Sequence, residues 1–211
     1  MKTEELIQAL AADNSKPVVP INRPLIAALV IGAALSAVLF GLMLHPRPDI
    51  AEAMHTTAFR FKLVVAASLA VTASMLLIQS ARPLPGLRRS PLLGLAPLLL
   101  LVGVIAEFAL TPVDLWSQRW IGHNAPHCLA LIPVLSLAPA AALLVTLRRG
   151  APARPALAGA FAGLVAGGVG SALYALTCPD DSPFFVATWY TLAVVLVTAL
   201  SAFVGSRVLR W

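Results

Sequence analysis

The sequence predicts an all-α integral membrane protein with six transmembrane helices and both termini cytoplasmic. Three observations carry that prediction. Hydrophobic side chains make up 59% of the 211 residues and charged ones only 11%, whereas soluble domains sit nearer 45–50% and about 25%. Six runs are long and apolar enough to cross roughly 30 Å of hydrocarbon. The basic residues stand in short clusters between those runs, where a membrane protein keeps them. A soluble enzyme, a disordered tail and a fibrous coiled coil are excluded. Two cysteines also exclude a disulfide-rich secreted scaffold.

The expected spans are residues 24–44, 63–80, 92–111, 128–147, 157–177 and 185–206. The second is the shortest, and Phe61 with a snorkelling Lys62 extends it. The chain starts with acids (Glu4, Glu5) rather than a basic n-region, and no small-residue cleavage site follows the first span, so a removed signal peptide is not expected. An even number of spans puts both ends of the chain on one side. Eleven of the fifteen Lys and Arg residues fall on the side of the termini and four opposite, which makes the termini cytoplasmic. All four histidines and both cysteines then lie at the outer face.

Ahead of the first span, residues 3–13 read as a short helix. Thr3 serves as N-cap, Glu4 and Glu5 occupy the first turn, and Leu6, Ile7, Leu10 and Ala11 form an apolar stripe. At about 11 residues it is marginal alone, and either a protein partner or the inner leaflet would cover the stripe. A Pro-containing linker follows, so residues 1–23 form a tail and residues 24–211 a six-helix membrane domain.

Cys128 and Cys178 flank adjacent antiparallel spans at one membrane face, close enough for a disulfide. A structural disulfide is the simplest reading. A redox or metal sensor is the sharper one, with a soft-metal site drawn from Cys128, Cys178, His123 and His127. Glu107 lies within the third span. It reads as a helix-end carboxylate reaching the outer loops, where Arg119 or a histidine pairs with it. In the fifth span Gly159, Gly163 and Gly167 recur every fourth residue as a helix-packing face, either within the chain or between two copies. Pro97, Pro133 and Pro139 interrupt their spans. No nucleophile elbow, phosphate loop, HExxH or paired carboxylates are present, so no enzymatic activity and no cofactor are expected.

Several stretches resemble the NrsF-like family, negative regulators of a sigma factor. They are the opening MKTEELIQALAADN, the outer-loop pattern of Arg47, Pro48 and Asp49 followed by Phe59, Phe61 and Lys62, and PALAG at 155–159. YALTCPDDSP at 174–183 and ATWY at 187–190 complete the set. The family carries two outer cysteines, and Cys128 and Cys178 fall at those places. The resemblance implies an anti-sigma factor of the bacterial inner membrane. Its tail would hold an extracytoplasmic-function (ECF) sigma factor through Glu4, Leu6, Ile7 and Leu10. Heavy metal or oxidant acting near the cysteines would release that partner. The tail has no His or Cys, which excludes metal sensing there. The partners expected are the sigma factor, the lipid bilayer and a possible second copy of the chain, with no direct contact to nucleic acid. Two other classes compete. A quinone-coupled thiol oxidoreductase should show a second cysteine pair, and a small transporter should show polar residues at mid-span.

Overall fold

A computed structural model describes residues 3–5, 7, 21–81, 94–150 and 152–210. Among them the helices are α1 (Asn22–Met43), α2 (Ile50–Ala53), α3 (Thr57–Ser80), α4 (Leu95–Leu110), α5 (Trp116–Ile121), α6 (Ala125–Leu147), α7 (Pro155–Ala175) and α8 (Pro183–Val208). No described residue lies in a strand. Five helices, α1, α3, the α5–α6 stretch, α7 and α8, are long and apolar enough to cross a membrane. α4 is a shorter apolar helix of 16 residues, about 24 Å long at 1.5 Å per residue. The first residues of its expected span, 92 and 93, lie outside the described residues. Side chains such as Ile26, Val30 and Leu42 of α1, Leu98 and Ile105 of α4, and Leu200 and Phe203 of α8 are each more than half exposed. An apolar exterior on three separate helices suits hydrocarbon rather than water.

α3 starts six residues ahead of the expected span because Thr56 caps it: the Thr56 hydroxyl accepts from the Phe59 N–H at 3.3 Å. This early start corrects the expectation for Lys62. Instead of snorkelling to an interface, its side chain is completely buried, because acceptors meet it inside.

α7 is the centre of the bundle, packed against α3, α6 and α8. Its composition explains the position. Gly159 and Gly163 lie against α8, where a Cβ on Gly163 would come within 2.7 Å of the Thr198 Cα. Gly167 faces Val194 of α8, and the Gly168 Cβ position is 2.8 Å from the Ala70 backbone N of α3. Glycine permits these approaches because the backbones themselves make the contact. The 159–163–167 face is filled by α8 of the same chain, so it is not a free surface for a second copy.

α1 lies on the far side of α6, and a proline fixes how. Pro139 has no N–H, so the Leu135 carbonyl one turn earlier loses its helical partner. The Ser36 hydroxyl of α1 donates to that carbonyl at 2.6 Å, and both residues are buried. Gly32 of α1 gives Pro139 its space, with a Cβ position 2.5 Å from the proline Cα. A buried serine therefore replaces the bond the proline removed.

Replacing Ser36 with Ala should lower the unfolding free energy in mixed micelles by about 1–3 kcal/mol, the cost of an unpaired buried carbonyl. In a Pro139→Ala background residue 139 supplies its own N–H, and the same change should cost less than half as much. An equal cost in both backgrounds would contradict this pairing.

Candidate functional site

The bundle end that gathers the close of α1, α4 and α7 with the start of α3, α6 and α8 carries the polar chemistry. Its hub is the stretch at residues 176–184, between α7 and α8. Two prolines, Pro179 and Pro183, keep the chain out of helix there, and Pro183 opens α8 at a position where a missing N–H is harmless. Between them Asp180, Asp181 and Ser182 each reach a different neighbour.

Asp181 bridges two cations. It accepts from the Arg47 guanidinium at 2.7 Å and from the Lys62 ammonium. Lys62 also donates to the backbone carbonyls of Cys178 at 2.9 Å and Asp180 at 3.4 Å. Beneath the cations lies the buried Phe59 ring, 5.4 Å from the Lys62 Nζ and 5.9 Å from the Arg47 Cζ, within cation–π range. Arg47 also grips Asp49 with two bonds and holds its carboxyl below the usual range. The Arg47-Pro48-Asp49 and Phe59-to-Lys62 patterns thus meet the CPDDSP stretch from more than 115 residues away.

Asp180 accepts from the backbone N–H groups of His123 and Asn124 at 3.1 and 2.9 Å and from the Asn124 side chain at 3.0 Å. It thereby places an anion at the start of α6, where the helix dipole favours one. The chain enters through Gly122 at φ +59°. A side chain there would suffer both the left-handed backbone and the Phe185 ring, 2.5 Å from the Cβ position.

Glu107 behaves as the helix-end carboxylate expected of it and does more. It accepts from Arg119 at 3.2 Å, from the Ser182 hydroxyl at 2.8 Å and from the Phe184 N–H at 2.9 Å. That last bond caps α8. Phe184 in turn stacks on Trp120 of α5 and meets Phe108 of α4 edge-on.

Under this lid lie the two thiols. Cys128, in the first turn of α6, is 0% exposed and Cys178 1%; both are free. They share a cluster with Ile132, Tyr174, Phe185 and Tyr190. The neighbouring Cys128 thiol, with the nearby Lys62 charge and a backbone hydrogen bond at Asp180, brings the Cys178 pKa down to about 7, against the opposing effect of burial. The lowered pKa favours the thiolate, the form that attacks oxidants and binds soft metals.

The histidines stand apart. The His123 side chain is 80% exposed, 4.0 Å from Asp180, and His127, next to Cys128 in the first turn of α6, is exposed. Among the described residues no group of three His, Cys, Asp or Glu side chains is arranged to hold a metal ion. A polar cleft of about 500 Å³ opens beside the hub, lined by Glu107, Arg119, His123, Asp180 and Asp181 among others. In the tail, Thr3, Glu4, Glu5 and Ile7 are helical, and Glu4 and Ile7 are exposed. Leu6 and Leu10 lie outside the described residues.

Lys62, Asp180, Asp181 and Asn124 were not singled out as site residues from the sequence. The signals were present: a lysine inside an apolar segment, and adjacent aspartates between two prolines in a chain with only nine acids.

Residues 10–211 match the family model for the negative regulator of sigma F. The chain belongs to the NrsF family. It is 33% identical to the anti-sigma-F factor NrsF of Caulobacter vibrioides (strain NA1000 / CB15N) and 32% identical to the probable anti-sigma-F factor NrsF of Azospira oryzae (strain ATCC BAA-33 / DSM 13638 / PS). Both alignments cover the whole of each chain. No solved structure matches. The family is one of negative regulators, a regulatory rather than a catalytic role. The family model begins at residue 10, so Glu4, Leu6 and Ile7 precede it.

With Cys178 titrating near 7, its alkylation rate in the membrane-embedded protein should rise about tenfold from pH 6 to pH 8 and then level off. A thiol at the ordinary value of 9 would instead gain about a hundredfold over that interval and continue upward. Peptide mass spectrometry of iodoacetamide-treated protein reads the difference.

Proposed function

We propose that this protein is a membrane-anchored anti-sigma factor of the bacterial inner membrane that holds an ECF-type sigma factor through its cytoplasmic tail. Residues 1–23 are the capture segment, with Leu6, Ile7 and Leu10 as the apolar contact and Glu4 beside them. Residues 24–211 are the membrane domain, with both termini cytoplasmic. The full-length likeness to anti-sigma-F factors supports the activity, and the eleven-to-four distribution of basic residues supports the orientation.

Cys128 and Cys178 form the outer sensor in this reading. The observation that carries it is their juxtaposition beneath a loop tied to every neighbouring element. A thiophilic ion bridging the two sulfurs, or an oxidant taking two electrons and two protons from the thiols to form a disulfide, changes the packing under that loop. Switching a partner from mostly bound to mostly free requires about 5 kcal/mol of differential stabilisation, within reach of covalent or metal–thiolate chemistry. The route inward runs along α6. This helix carries Cys128 at one end and cradles α1 through the Ser36–Leu135 and Gly32–Pro139 contacts, and α1 continues into the tail. Each conformation of α6 thereby favours one placement of α1.

A sigma-F-dependent reporter tests both halves. Leu6→Asp combined with Leu10→Asp should switch the reporter on while the protein remains in the membrane, because each charge placed in an apolar contact costs on the order of 3 kcal/mol. Normal repression by that variant would remove the tail from the account. The variant carrying Cys128→Ser and Cys178→Ser should accumulate normally and lose its response to cadmium. An unchanged response would eliminate the cysteines and leave His123 and His127 as the next candidates.

A further inference from the structure

A second cavity, of about 200 Å³, lies deeper in the bundle between α3, α4, α7 and α8. Val65, Ala66 and Leu69 of α3, Leu100 of α4, and Val186 and Val194 of α8 form most of its wall. α4 leans on α3 and on the start of α8, and the gap it leaves is bordered by half-buried Leu69, Leu100 and Leu164 and by exposed Val195. The cavity therefore opens sideways onto the apolar exterior.

Lys62 and the exposed Thr191 border this largely apolar space, and so do two buried hydroxyl-bearing residues, Ser171 of α7 and Tyr190 of α8. They are 2% and 4% exposed, and neither hydroxyl has a hydrogen-bond partner among the described residues. The Tyr190 hydroxyl approaches the Cys178 sulfur without reaching hydrogen-bonding geometry. Buried hydroxyls are costly to leave unpaired and are nearly always satisfied. Tyr190 also ends a π-helical turn, Val186–Tyr190, a local irregularity that occurs mostly where a helix serves a site.

We propose that this cavity binds the ring of a lipid-soluble quinone. Tyr190 and Ser171 donate hydrogen bonds to the ring's carbonyl oxygens, and the apolar tail leaves between α4 and α8 into the bilayer. Size and chemistry both select this occupant. A cavity of about 150 Å³ accommodates benzene, so 200 Å³ takes one substituted six-membered ring. A lipid acyl chain fills apolar space but offers no acceptor, and it would leave both hydroxyls unpaired. A water bridging the two hydroxyls would satisfy them but leave most of the 200 Å³ of largely apolar space unfilled. A quinone satisfies the hydroxyls and the apolar wall together. The site is independent of the sigma-binding tail and, with one cysteine pair in the chain, is a binding site rather than the centre of a thiol oxidoreductase.

The test is equilibrium binding of decylubiquinone to the full-length protein in phospholipid nanodiscs, measured against empty nanodiscs. Saturable binding of one quinone per chain is expected. Tyr190→Phe should weaken it about tenfold, the effect of one hydrogen bond to a buried acceptor, and Ala66→Phe should abolish it by filling the space. Tyr190→Phe removes only an unpaired hydroxyl, so without quinone its melting temperature should equal or exceed that of the parent, which separates lost binding from lost folding. Uptake no different from empty nanodiscs would overturn the proposal. So would unchanged affinity in both Tyr190→Phe and Ser171→Ala, or a tightly held phospholipid that quinone does not displace.

Discussion

A lysine ammonium withdrawn from water must be met by acceptors on every side, and at Lys62 those acceptors all come from one short stretch of chain. The Cys178 and Asp180 carbonyls and the Asp181 carboxylate converge on its Nζ. Removing one member of a buried charge pair costs about 3–5 kcal/mol because the other is left uncompensated. The CPDDSP stretch is consequently held against α3 in one place. Once it is fixed there, Asp180 can pin the start of α6, and Ser182 and Phe184 can meet Glu107 from α4. The positions of Cys128 and Cys178 follow, since one sits in the first turn of the pinned helix and the other inside the pinning loop.

The opposite requirement rules the interior, where there is little charge and backbones touch. α7 reaches α8 through Gly159, Gly163 and Gly167 and reaches α3 through Gly168. Hydrocarbon surroundings supply no hydrophobic drive for helix association, so close packing must supply it. α1 attaches differently, by a serine that completes a proline-broken helix. The domain thus has a rigid glycine-packed centre with α1 and α4 at its margins, and each marginal helix leads somewhere useful. α1 leads to the tail, and α4 borders the lateral cavity.

The helices were legible because apolar runs of about 20 residues have few other uses, and both cysteines were correctly placed at one end of the bundle by span parity. Glu107 was legible as a helix-end acid that pairs with Arg119, because depth and charge suffice for that inference. Lys62 was misread for a physical reason. Sequence gives a residue's depth along a helix but not the direction its side chain takes, and the acceptors that turn Lys62 inward lie 116 or more residues away. The same limit hid the caps at α6 and α8, whose anions come from other segments. It also left His123 and His127 grouped with the thiols, although only an exposed helix-start position separates them from the buried pair.

The claim on which the rest depends is that Lys62 anchors the lid over the thiols. Its most direct measurement is the rate at which a small maleimide modifies Cys128 in nanodiscs, in the parent protein and in Lys62→Met, with helical content monitored alongside. Cys128 is fully buried in the parent, and in each protein its rate is divided by its thiolate fraction, read from the pH dependence of the same reaction, so that the ratio reports the lid rather than ionisation. With the anchor removed, modification should accelerate at least tenfold while helical content is retained, about 1.4 kcal/mol or more of easier opening. Equal rates in the two proteins would contradict the account.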